Sequence, residues 1–136
     1  MLIKGGLVYT MEDAPKVCDI KIENGKITEI GENLVDDEVI RADGKFVFPG
    51  FIDAHCHIGM CESSIRFEGE DSNEANDPVT PHLRAIDAIN PVDENFMKAY
   101  QGGVTSCCTG PGSANVLGGQ FASIKTYGHR VDDMII

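Results

Sequence analysis

His55 and His57 interrupt an otherwise apolar run, Phe51-Ile52-Asp53-Ala54-His55-Cys56-His57-Ile58, that follows directly on Pro49-Gly50. A short apolar run behind such a turn predicts a buried strand of the parallel type, covered on both faces. Two imidazoles buried there without partners would cost about 1 to 3 kcal/mol each. The strand is therefore tenable only if something satisfies their nitrogens. Side chains at i and i+2 of a strand share a face, with Cα atoms roughly 6.5 to 7 Å apart at a rise of about 3.3 Å per residue. Two imidazoles so placed can lean onto one cation at the roughly 2.0 to 2.1 Å of a Zn–N bond. Asp53 has the same parity and lies one step down that face, where it can orient an imidazole or a metal-bound water from behind the ligands. Cys56 points to the opposite face and reads as a packing thiol. A His-x-His pair by itself is a weak signal, and the apolar setting is what gives it weight.

Upstream, residues 1–48 are strand and turn throughout. Residues 7–10 make a short β-branched run, and Cys18-Asp19-Ile20-Lys21-Ile22-Glu23 alternates apolar with polar, the period of a half-buried strand. Asn24-Gly25 suits a type I′ turn, so residues 26–30 should return as the antiparallel partner. Residues 38–41 form another short strand, and Ala42-Asp43-Gly44 leads into Lys45-Phe46-Val47-Phe48. This stretch reads as part of a small β-sandwich, too short to hold a good core without partner strands.

Residues 49–136 read differently. After the apolar strand, residues 62–79 are acidic and polar without hydrophobic periodicity, a length that marks a functional loop or a disordered insertion. A solvated lid is the preferred reading, and its carboxylates lack the spacing of a calcium-binding EF-hand loop. Thr80-Pro81 offers an N-cap followed by proline at the first helical position, with Leu83, Ile86 and Ile89 on one face. A second helix is expected from about residues 90–93, carrying Phe96, Ala99 and Tyr100 and ending at Gly102-Gly103. Residues 104–109 form the next strand, in which Cys107 and Cys108 face opposite ways as core residues. Residues 110–120 are glycine-rich but match neither the phosphate loop nor the dinucleotide fingerprint, so a structured loop is expected there. His82 and His129 read as surface or capping residues. The order strand, loop, helix, strand, loop is the opening of a parallel βα array.

The chain has 22 acidic against 11 basic residues, a formal net charge of −11, with an acidic run of Glu68, Glu70, Asp71, Glu74 and Asp77. That balance argues against nucleic acid and anionic membrane surfaces as partners. No apolar run approaches the roughly 20 residues needed to span a bilayer. Five cysteines, an odd number without Cys-x-x-Cys spacing, fit reduced thiols in a cytoplasmic protein.

Taken together, Pro49-Gly50-Phe51-Ile52-Asp53-Ala54-His55-Cys56-His57, the Asn24-Gly25-Lys26-Ile27 hairpin and Asp43-Gly44-Lys45 resemble the start of the metal-dependent amidohydrolase superfamily. Leu83-Arg84-Ala85-Ile86-Asp87-Ala88-Ile89-Asn90-Pro91, Gly102-Gly103-Val104-Thr105, Pro111-Gly112-Ser113-Ala114-Asn115 and Gly118-Gly119-Gln120 resemble its imidazolonepropionase-related branch. The resemblance implies an α/β fold: a β-sandwich module over residues 1–48, then the first two or three βα units of an incomplete (β/α)8 TIM-type barrel over 49–136. It implies that His55 and His57 hold a divalent metal, Zn2+ or else Fe or Mn, as one ion or two. Asp53 would stand behind them, at the C-terminal end of the first barrel strand. The activity implied is hydrolysis of a C–N bond in a cyclic amide, an amidine or an N-acyl amino-acid-like small molecule by metal-activated water. The bridging lysine or glutamate, two further histidines and the aspartate general base would lie beyond Ile136, since such a barrel takes about 250 residues. The chain therefore reads as an amino-terminal piece, expected to be inactive alone and to hold metal poorly. A homo-oligomer is expected, because open sheet edges template further pairing. A non-catalytic scaffold of the same fold, or a small self-associating module, stand as the other readings.

Overall fold

The computed structural model describes residues 1–136, apart from the side chains of Ser63 and Ser64. The chain forms two compact units, Met1–Pro49 and Gly50–Ile136.

In the first unit β1 (Leu2–Val8), β2 (Lys16–Glu23), β3 (Lys26–Gly31), β4 (Val39–Arg41) and β5 (Phe46–Val47) form one sheet in the order β3-β2-β1-β4, with β5 also on β1. The β2–β3 hairpin turns at Asn24 and Gly25, whose φ values of 52° and 73° are those a type I′ turn requires. The first strand starts at Leu2, earlier than the run at residues 7–10 suggests. Gly5-Gly6 looks like punctuation in the sequence but lies inside β1 as a bulge, where the pairing with β2 shifts between Ile3 and Gly6. The buried Asp19 carboxylate holds the bulge, accepting the backbone N–H of Gly5 at 2.9 Å and that of Leu34 at 3.0 Å. Val8, Cys18 and Ile20 form a small core with Ile3, Ile22 and Val47. The described strands of this unit make a single sheet, so the second layer of the expected sandwich is not formed among them.

In the second unit β6 (Phe51–Cys56), β7 (Val104–Thr109) and β8 (Ala122–Lys125) form a sheet in that order, with α1 (Ala85–Ala88), α2 (Glu94–Gln101) and α3 (Val131–Met134) between and after them. β6 and β7 are parallel, as expected, but β8 runs antiparallel to β7. The described residues of this unit thus contain one parallel crossover. Its helix α2 is capped by Asp93, whose side chain accepts the Asn95 backbone N–H, and it ends before Gly103 at φ 90°.

Two expectations are corrected here. No helix starts at Thr80-Pro81; α1 begins at Ala85. The cause is backbone competition. The Gln120 N–H donates to the Leu83 carbonyl at 2.8 Å and the Ala85 N–H to the Gln120 carbonyl at 2.9 Å. Those bonds draw Leu83 to Ala85 into an extended bridge and take the groups a helix start would use. Nor is β6 buried on both faces: Phe51 is 53% and Ile52 75% exposed, because β6 is an edge strand with a neighbour on one side only. The core gathers elsewhere, from Met60, Ala85, Ile89, Phe96, Cys107, Ile124 and Met134.

The acidic stretch is tied down. Gly112 N–H donates to the Ser72 carbonyl at 2.7 Å, Thr80 N–H to that of Leu117 at 2.8 Å, and the Asn115 side-chain amide to the carbonyls of Glu74 and Asp77. The two long loops therefore brace each other across the top of the β6–β7 pair.

Ile124 is fully buried in this core and Val116 is 84% exposed in the glycine-rich loop. Ile124→Ala should lower the unfolding free energy by about 2 to 5 kcal/mol, and Val116→Ala by no more than about 0.5 kcal/mol. Urea unfolding followed by circular dichroism measures both.

Candidate metal centre

The parallel pairing of β6 and β7 places the end of one beside the end of the other, with Cys56 opposite Thr109. Beyond that point the chains stay fastened: the Gly110 N–H donates to the Cys56 carbonyl at 3.2 Å, and the Thr109 hydroxyl to the Ile58 carbonyl at 2.8 Å. Thr109 has no exposed surface. His57 sits between these two ties, one residue past the end of β6.

There His57 Nδ1 lies 2.7 Å from the Gly110 carbonyl oxygen. A carbonyl only accepts, so Nδ1 carries a proton, and in the neutral ring Nε2 then keeps its lone pair. This is the arrangement by which a backbone carbonyl fixes the tautomer of a metal-binding imidazole. His55 lies on the same side, its ring centroid 5.3 Å from that of His57 and the planes at 85°. His55 is exposed and His57 half-buried, so a cation can reach the pair without opening the core. The donor chemistry suits a borderline divalent metal. The set is short, however. Among the described residues no three His, Cys, Asp or Glu side chains are placed to hold a metal ion, whereas catalytic zinc sites usually take three protein ligands.

The Asp53 carboxylate accepts the backbone N–H of His55 at 3.2 Å. Its visible effect is on the backbone that carries the first imidazole, with no ring contact. On the opposite side of β6, Cys56 packs against the core and faces Cys107. Burial pushes the Cys107 thiol up to about 12, with further contributions from the Cys56 thiol beside it and from Asp53.

Two residues that sequence reasoning passed over belong to the site. One is Gly110, through its carbonyl; nothing in the side-chain pattern marks a backbone acceptor. The other is Phe121, whose ring centroid is 5.0 Å from that of His55 and 6.3 Å from that of His57. His82 lies in the turn before α1. His129 packs against Tyr127 at 6.1 Å, following β8 at the end of the sheet away from Gly110.

With this geometry in hand, comparison with known proteins is informative. No protein-family model matches the sequence. The crystal structure of an amidohydrolase from Thermotoga maritima MSB8 superposes with a TM-score of 0.91 at 44% identity, over 99% of the present chain and 36% of that one. The amidohydrolase tasK of Hapsidospora irregularis is 32% identical over 91% of the chain and 15% of its own length. A dihydroorotase of Acetivibrio thermocellus is 46% identical over 43% of the chain and 14% of its own length. The class these define is that of hydrolases acting on C–N bonds. The chain is homologous to amidohydrolases, and it spans 36% of the solved structure and 14 to 15% of the curated relatives.

Because burial pushes the Cys107 thiol up to about 12, it should stay protonated and resist iodoacetamide at pH 8.5 while the half-buried Cys61 and Cys108 are alkylated first, as read by peptide mass spectrometry. The unfolded thiol titrates near 8.5, below the folded value. The unfolded state therefore loses its proton first, and stability should fall as pH rises from about 8.5 toward 12. Cys107→Ser should flatten that part of the pH profile.

Proposed function

We propose that this chain supplies part of the metal centre of a metal-dependent amidohydrolase, with His55 and His57 as ligands through Nε2 and Asp53 behind them. The observation that carries the reading is the hydrogen bond from His57 Nδ1 to the Gly110 carbonyl. It leaves Nε2 of the neutral His57 ring as the nitrogen free to bind a metal, in a ring 5.3 Å from that of His55. A scaffold would not require an imidazole held in one tautomer beside a second, accessible one. The similarity to amidohydrolases supports the same conclusion independently.

A divalent cation held there, Zn2+ or else Fe or Mn, would acidify a water and polarise the scissile carbonyl or amidine. The chain's own residues contribute orientation. The Gly110 carbonyl keeps the His57 ring from turning, Asp53 steadies the strand under His55, and the Thr109 hydroxyl ties the segment after His57 to β7. The bond cleaved is the C–N bond of a cyclic amide, a cyclic amidine or an N-acyl amino-acid-like molecule; the dihydroorotase similarity favours the cyclic amide, and the residue pattern favours the imidazolonepropionase-related branch. Because two histidines fall short of a full ligand set, the further ligands and the general base lie outside the described residues, in the rest of an eight-stranded barrel. The chain alone is then inactive and a weak metal binder. The net charge of −11 fits a small-molecule substrate in a cytoplasmic protein and disfavours nucleic acid and membrane. No helix is long and apolar enough to cross a membrane. The exposed edge and faces of β6 favour self-association.

Metal content by inductively coupled plasma mass spectrometry, after purification without chelators, tests the proposal. The full-length gene product should carry stoichiometric metal, the His55→Ala/His57→Ala variant should lose most of it, and the 136-residue chain should hold less than one equivalent. A metal-free full-length protein, or full occupancy in the double variant, would refute it.

A further inference from the structure

Phe121 is held in place more firmly than a loop residue needs to be. On its N-terminal side Gln120 is bonded through its backbone to Leu83 and Ala85, and through its side-chain amide to the Pro81 carbonyl at 3.0 Å. On its C-terminal side Ala122 pairs with Thr109 at the start of β8. With both neighbours anchored, the ring is delivered to one place. That place is over Gly110: a Cβ there would lie 2.3 Å from Phe121 Cγ and Cδ2 and 2.6 Å from Cδ1. Gly110 is not among the glycines with positive φ. Its missing side chain therefore serves space and not backbone conformation, and the space is filled by Phe121.

The same ring meets His55 directly, at 5.0 Å and an interplanar angle of 32°. One side chain thus touches the first imidazole and also the residue whose carbonyl fixes the second. We infer that Phe121 is a positioning residue for the His55–His57 pair: it limits rotation of the His55 ring by contact, and it sets the His57 tautomer by holding the Gly110 carbonyl where Nδ1–H can reach it. Only 39% of Phe121 is exposed.

The metal consequence rests on the proposed function, whereas the tautomer consequence does not, and the test separates them. Long-range 1H–15N correlation spectra of the metal-free 136-residue chain, taken at pH 8, read the His57 tautomer. Competition with a chromophoric chelator reads zinc affinity. In the parent chain His57 should be the Nδ1–H tautomer. Phe121→Leu keeps an apolar side chain but removes the flat ring, and should shift His57 toward a mixture of tautomers and weaken zinc binding about tenfold, the scale of other outer-layer ligand partners. Gly110→Ala should move both readouts the same way by displacing the ring. Phe121→Tyr should restore both to within about twofold. If Phe121→Leu loses the dispersed spectrum of a folded chain, Phe121→Met takes its place. A folded Leu or Met variant with the parent tautomer and the parent zinc affinity would overturn the inference while leaving the metal reading intact. A tautomer shift in the Phe121→Leu variant, with a parent chain that binds no zinc, would uphold the positioning role and remove the metal from it.

Discussion

The parallel pairing of β6 with β7 is the constraint from which the site follows. Parallel strands need a crossover between them, and the chain spends residues 57–103 on it, most of them in the acidic loop and in α1 and α2. What the pairing secures is a register in which Cys56 meets Thr109. That register sets His57 against Gly110, one residue past the end of each strand. Neither residue could be placed there by its own local sequence. The Nδ1 hydrogen bond is therefore a tertiary consequence of the strand alignment made one residue earlier, at Cys56 and Thr109.

The second support comes from the two long connections. One is acidic and the other glycine-rich, and neither has hydrophobic periodicity, yet they bond to each other through Ser72, Glu74, Asp77 and Thr80 on one side and Gly112, Asn115 and Leu117 on the other. Backbone amides and two asparagines, Asn73 and Asn115, provide the links, so the bracing survives in segments with few apolar side chains. The same exchange sets the start of α1 and the position of Phe121, because Gln120 uses its backbone on Leu83 and Ala85. A loop that looks like a connector in the sequence thus fixes a helix boundary on one side and a ring beside two imidazoles on the other.

This explains what could be read from the sequence. The β2–β3 hairpin was legible because Asn24-Gly25 carries its own backbone requirement. The end of α2 was legible because Gly103 takes φ 90°. The strand bearing His55 was legible because its residues are mostly apolar, although it ends at Cys56 and leaves His57 one residue beyond it. Thr80-Pro81 misled because a good local helix start was outcompeted by a distant backbone partner, Gln120. Gly5-Gly6 misled because a buried carboxylate, Asp19, satisfies a bulge that local sequence would read as a break. The burial of β6 was overestimated because an apolar composition describes what a strand can be covered by, and β6 has a neighbour on one edge only. The Gly110 carbonyl was invisible because every residue carries the same backbone acceptor.

The contact between Gly110 and Phe121 also bears on how such a sequence can change over time. A side chain added at position 110 must push aside the six-membered ring at position 121, and a smaller residue at 121 would open room that glycine does not need. The two positions are thus bound into one choice, large beside none or small beside small. A lineage moving between those solutions must pass through a state in which the histidine partner is disturbed. Each residue makes replacement of the other costly, and a shape that no single position specifies can be kept for as long as both remain.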